Sequence, residues 1–139
     1  MNEGISELST DHSGQPNDSS RACIATLSIG QGVSLSQASK DLKLGKWDVD
    51  PPITVTGPYD GFFFLASGRN GDGHGTEGTI KYKATDDATF FLDFNVPYSA
   101  SNTVGIRCEG KDCNLYSYSV SEVQASGYKT RPIYTIRRK

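Results

Sequence analysis

The chain has 139 residues, of which 35% are hydrophobic and 22% charged, with a formal net charge of −2; this suffices for one domain with a real core. A pI near 5.6 and the lack of a continuous basic stripe make nucleic acid a poor partner, and no apolar run approaches the roughly 18 residues of a membrane-spanning helix. The opening "MNEGISELSTD" has neither a basic n-region nor an apolar h-region, so no secretory signal is expected.

Residues 1–20 carry Glu3, Glu7, Asp11 and Asp18, no Lys or Arg and few side chains worth burying. They are expected to form a flexible tail ahead of a single domain over residues 21–139. In "RACIATLSI", Cys23, Ala25, Leu27 and Ile29 alternate with Ala22, Ile24, Thr26 and Ser28, which is strand periodicity with one buried face. "VSLS" and "KDLKLGKWDV" follow. Pro51, Pro52, Gly57, Pro58 and Gly61 then break the chain around "ITVT" and ahead of "FFFLAS". Side chains alternate across a strand, so one of Phe62, Phe63 and Phe64 must point away from the core that takes the others.

The stretch "GRNGDGHGTEGT" leads into "TIKYKAT", where Ile80, Tyr82 and Ala84 oppose Thr79, Lys81 and Lys83. "DD" turns into "ATFFLDFNV", which sets Phe90, Leu92 and Phe94 against Phe91 and Asp93. "TVGIRC" and "CNLYSYSVSEV" are expected to pair as a hairpin, and "RPIYTIRR" closes the chain. No segment of ten or more residues places apolar side chains at helical spacing. The expected fold is all-β, a single-domain antiparallel β-sandwich.

Three cysteines cannot form a closed set of disulfides. Cys108 and Cys113 bracket the turn-like "EGKD" and are the candidate pair, leaving Cys23 free, whereas a reducing compartment would keep all three as thiols. No spacing suits zinc. The bases Lys129, Arg131, Arg137, Arg138 and Lys139 at the end suggest a solvated, fraying strand end. The alternative is attraction to anionic lipid, worth about 1 kcal/mol per base.

Catalysis finds little support. His12 falls in the tail, leaving His74 for the domain, and no nucleophile elbow is present. The Gly-rich stretch lacks the Lys-Ser/Thr and following helix of a phosphate loop. Asn70, Asp72 and His74 alternate as in half a calcium loop, but Lys81 stands where a bidentate glutamate belongs. No enzyme activity, cofactor or metal is therefore expected. Glycine permits positive φ and close backbone approach, so the stretch suits either a plain connection or a binding loop.

Taken together, "LASGRNGDGHGTEGTIKY", "FFLDFNVPYSASNTV" and "YTIRR" resemble the aegerolysins from about residue 21 to the end. The pieces that carry the resemblance are Gly68-Arg69, Gly75-Thr76-Glu77-Gly78-Thr79, the aromatic Phe90–Phe94 strand and Val96-Pro97-Tyr98, in that order. They are most similar to the bacterial insecticidal branch. The resemblance implies a cytolysin-like β-sandwich that binds membrane lipids, often sphingolipids, and recruits a larger pore-forming partner as the small half of a binary toxin. It further implies a protein made in a bacterial cytoplasm, released without a classical signal and active at the target cell membrane.

The lipid-contact candidates are Trp47, Arg69, Asp72, His74, Glu77 and Tyr98. Lipid-binding fungal members carry an acid directly before the G-T of this loop; His74 holds that position here, and Glu77 lies three residues on. Trp47 matches the region where relatives carry a tryptophan, and it is the chain's single one. The residues also suit a glycan-binding module, since Trp, Tyr, Asp and Asn near loops stack on and hydrogen-bond sugars. Weak self-association through an exposed Phe face is a third reading.

Overall fold

The computed structural model describes residues 21–69 and 75–139; the expected tail, residues 1–20, lies outside them, as do Asp72 and His74. Eleven strands run in chain order among the described residues: β1 Ala22–Ile29, β2 Ser34–Leu44, β3 Lys46–Val49, β4 Thr54–Thr56, β5 Tyr59–Ser67, β6 Thr76–Ala84, β7 Thr89–Val96, β8 Thr103–Glu109, β9 Tyr116–Ser121, β10 Lys129–Thr130 and β11 Ile133–Arg138. They form two sheets, one in the order β3-β5-β1-β11-β9 with β10 also on β1, the other β4-β2-β6-β7-β8. This is the expected aegerolysin-like β-sandwich.

The alternations described above decide which faces meet. Cys23, Ala25, Leu27 and Ile29 of β1, Phe64 and Ala66 of β5, and Tyr134 and Ile136 of β11 pack against Ile80, Tyr82 and Ala84 of β6 and Phe90, Leu92, Phe94 and Val96 of β7. Of the three consecutive phenylalanines, Phe64 is fully buried while Phe63 points outward and is 53% exposed. The thiol of Cys23 lies in this core, and burial pushes its pKa well above the usual thiol range, so it stays protonated.

Two tyrosines carry hydroxyls into the core and find acceptors there. Tyr82 donates to the Pro52 carbonyl at 2.7 Å, and Tyr134 donates across the sandwich to the Asp93 carbonyl at 2.7 Å. Burial raises both pKa values; a hydrogen bond from Gln37 partly offsets this at Tyr82, and the negative charge of Asp93 adds to it at Tyr134. A raised pKa means that the neutral form is favoured in the fold. Stability is then intact below the ordinary tyrosine value near pH 10 and falls as pH climbs towards the folded value, by about 1.4 kcal/mol per pH unit for each tyrosine. The buried Cys23 thiol acts in the same sense from its own ordinary value near pH 9. Urea midpoints should therefore stay level up to about pH 8, begin to fall near 9 and drop more steeply beyond 10; a level profile through pH 11 contradicts this.

Gly45 is where the chain leaves one sheet for the other. It follows β2 and precedes β3, adopts φ +99°, and a Cβ there would lie 2.4 Å from the Ser67 carbonyl. Only glycine fits such a corner. β3 is then tied to β5 by Asp48, which accepts from Ser67 Oγ at 2.6 Å and pairs with Lys46.

Two expectations are corrected. The segments on either side of "EGKD" do not form a hairpin: β8 pairs with β7, and β9 pairs with β11 in the opposite sheet. The turn is a crossing between sheets, closed by a Cys108–Cys113 disulfide and a single 3-10 turn over Cys113–Leu115. The strands pair antiparallel as expected except at β1, which pairs in parallel with both β10 and β11.

That pairing also removes the fraying end, because β11 lies inside its sheet between β1 and β9. Its bases are engaged. Arg137 donates to Ser28 Oγ at 3.0 Å, and Arg138 donates to the Tyr116 hydroxyl at 3.1 Å and to Asp86 at 3.2 Å.

Candidate functional site

One end of the sandwich gathers most of the sequence signals. β5 ends there at Ser67, β6 starts at Thr76, β7 ends at Val96, and β1 enters from Arg21. The Gly68 N–H donates to the Arg21 carbonyl at 2.8 Å, which brings Arg69 to this end, where it is exposed. On the far side of the Gly-rich stretch, Gly75 lies so close to the end of β7 that a Cβ would sit 1.8 Å from the Val96 carbonyl oxygen. The "GTEGT" glycine is therefore required by packing between strands.

Arg21 organises the end. Its guanidinium donates to the Pro97 carbonyl at 3.3 Å and the Tyr98 carbonyl at 2.6 Å, holding the "VPY" turn. The same group sits 4.3 Å from the ring centres of both Tyr98 and Tyr128, a cation between two aromatic faces. Both rings remain half open, at 50% and 52% exposure. They wall a cleft of about 440 Å³ whose other linings include Ser99, Ser101 and Ser126. Asn102 braces it from below, donating its side-chain amide to the Gln124 carbonyl at 2.9 Å and the Gly127 carbonyl at 3.3 Å.

Comparison with solved structures gives three chains of like architecture. The lipid-binding protein Nakanori superposes with a TM-score of 0.72 at 13% identity, covering 85% of this chain and 71% of that one. The RahU protein, solved in complex with a TRIS molecule, gives 0.68 at 16% identity, covering 88% and 98%. IP-1A from Alcaligenes faecalis gives 0.67 at 18% identity, covering 86% and 91%. What the chain shares with them is the fold. No family model matches the sequence, and a search of curated proteins finds no match.

The remaining candidates divide. Trp47 stands on β3 at the same end but turns inward, half-buried, with its ring edge-on to Phe64 at 5.9 Å and Phe94 at 6.0 Å. It closes the sandwich edge rather than joining the exposed rings. Glu77 faces outward from β6 onto a separate groove of the five-stranded sheet, near Lys43 at 4.0 Å. Arg69 and Tyr98 thus share the loop end, whereas Trp47 and Glu77 do not enter the cleft.

Sequence reasoning missed Arg21 and Tyr128 as site residues. Both were visible, one as the residue before the first strand and the other as a tyrosine in a Gly-Ser turn. Their union depends on contacts between distant parts of the chain, which periodicity does not reveal.

Proposed function

We propose that the chain binds membrane lipid through this loop end, with Arg69 and the Tyr98–Arg21–Tyr128 cluster at the contact. The cluster is the observation that carries the proposal. Tyrosines half exposed beside a cation suit a surface that is apolar on one side and wet on the other. Arg69 is exposed and has no ion-pair partner among the described residues, so its guanidinium is free to pair with a lipid phosphate. The shared fold with a protein described as lipid-binding supports the same reading.

We further propose, on the aegerolysin resemblance of residues 68–79 and 90–98, that the protein is the small half of a binary, insecticidal pore-forming toxin. In that role it marks the target membrane, sphingolipid-bearing in the family pattern, and a larger partner makes the pore.

Replacing Arg69 with alanine removes a charge-assisted hydrogen bond worth about 1.5–3 kcal/mol. Sedimentation with vesicles should therefore show apparent affinity falling at least tenfold in Arg69→Ala, and by a similar factor in Tyr128→Ala, with the urea midpoint of Arg69→Ala unchanged. Wild-type affinity in both variants would remove the loop end from the contact.

A further inference from the structure

The groove that takes Glu77 is larger than the loop-end cleft, at about 490 Å³, and the two share no lining residue. It lies on the outer face of the five-stranded sheet. Strand register aligns Asp41, Thr79, Asp93 and Gly105 in one row across β2, β6, β7 and β8, and Glu77, Asn95 and Thr103 in the next. The residues between these rows, Gly78 and Phe94, are buried towards the core, so the row members face outward together. Gly105 opens the row at its β8 end, on the edge of the sheet: a Cβ there would meet nothing within 4 Å.

The polar groups along the groove are of two kinds. Asp93 is held, accepting from Thr79 Oγ1 at 2.6 Å and facing Arg107 Nε at 3.8 Å. The side chains of Asp41, Asn95 and Thr103 have no hydrogen-bond or ion-pair partner among the described residues. One groove therefore offers a free carboxylate, a free amide and a free hydroxyl around an unobstructed stretch of backbone. Hydroxyls of a sugar each donate and accept, which suits acceptor-only carboxylates beside groups that do both.

We propose that this groove binds a neutral saccharide. Charge excludes the nearest rivals. Asp41, Glu77 and Asp93 outnumber Lys43 along the walls, and Arg107 at the rim is engaged with Asp93, Glu109 and the Phe91 ring. A phosphate or other anion would meet net negative potential. No group of three His, Cys, Asp or Glu among the described residues could hold a metal ion. An organic cation would want exposed aromatic faces, and the one ring lining the groove, Phe94, is only 2% exposed.

The Glu77–Asn95–Thr103 row opens at the same end of the sandwich as Tyr98, three residues beyond Asn95. A sugar carried on a membrane lipid is thus as accessible as one carried on a protein or free in solution.

The test uses the whole protein and two variants. Gly105→Phe adds a ring on the groove wall from a position whose Cβ has open space, and Asp41→Ala removes the free carboxylate; urea midpoints confirm that each is folded. Saturation-transfer NMR against a panel of neutral mono- and oligosaccharides reads soluble sugar. Sedimentation with phosphatidylcholine vesicles, with and without glucosylceramide, reads sugar on lipid. Binding in either arm that is abolished by Gly105→Phe and weakened at least tenfold by Asp41→Ala is the expected result, and the arm that responds identifies the source. No binding in either arm at millimolar sugar, or binding that both variants retain, overturns the proposal. Sedimentation of Gly105→Phe with sugar-free sphingomyelin–cholesterol vesicles should match wild type, so failure of the lipid reading would register separately.

Discussion

Phe94→Ala should lower the free energy of unfolding by about 3–5 kcal/mol, the usual cost of emptying a buried aromatic site. Phe94 is 2% exposed and stands between the sheets, with Phe64 at 5.6 Å and Trp47 at 6.0 Å between ring centres. Its neighbours are themselves large rings anchored on different strands. They cannot collapse into the space without moving β3 or β5, so most of the cavity would persist. Because Trp47 is the chain's single tryptophan and touches the deleted ring, its fluorescence follows the transition directly. A loss below about 1 kcal/mol would mean that the aromatic cluster does not join the sheets as described.

Gly75→Ala is the second large effect, and it links the fold to the site. The added Cβ would sit 1.8 Å from the Val96 carbonyl oxygen and its neighbourhood includes Pro97 Cα at 2.9 Å, all of it backbone that cannot rotate away. Thr76 pairs with Val96 in the β6–β7 ladder, so the first rungs of that ladder must part. Overpacking of this kind costs about 1–3 kcal/mol. The displaced segment runs into the "VPY" turn that Arg21 holds, so vesicle binding should fall together with stability. Gly105→Ala is the matched control: with open space at its Cβ and a place inside a strand, it should be neutral or stabilising by about 0.5–1 kcal/mol. Equal effects at the two glycines would contradict the packing described at Gly75.

The strands were legible where alternation is strong and local. β6 and β7 show it well: Ile80, Tyr82, Ala84, Phe90, Leu92 and Phe94 all fall on the expected buried face, and Phe63 is the phenylalanine left outside. Pairing was less legible. The "EGKD" turn signals a reversal but not whether the next strand rejoins the same sheet, and here it crosses to the other. The parallel β1–β11 pairing joins the two ends of the domain, and no local pattern in "YTIRR" announces it.

Trp47 illustrates the limit for side chains. Its direction depends on the Gly45 corner and on a register shift between Trp47 and Val49, either of which changes which face a residue occupies. Arg69 and Tyr98 could be chosen from composition and family pattern, because exposed loop residues announce themselves. Arg21 could not, since its role comes from two rings and two carbonyls that only the folded chain assembles.

The central claim is recognition of membrane lipid by this protein without a pore of its own. Its most direct test is sedimentation of the pure wild-type chain with dye-loaded vesicles of varied composition, including sphingomyelin with cholesterol and ceramide phosphoethanolamine with cholesterol. The account predicts that the protein pellets with at least one sphingolipid-containing composition while the dye stays inside. Protein left in the supernatant at every composition would contradict it.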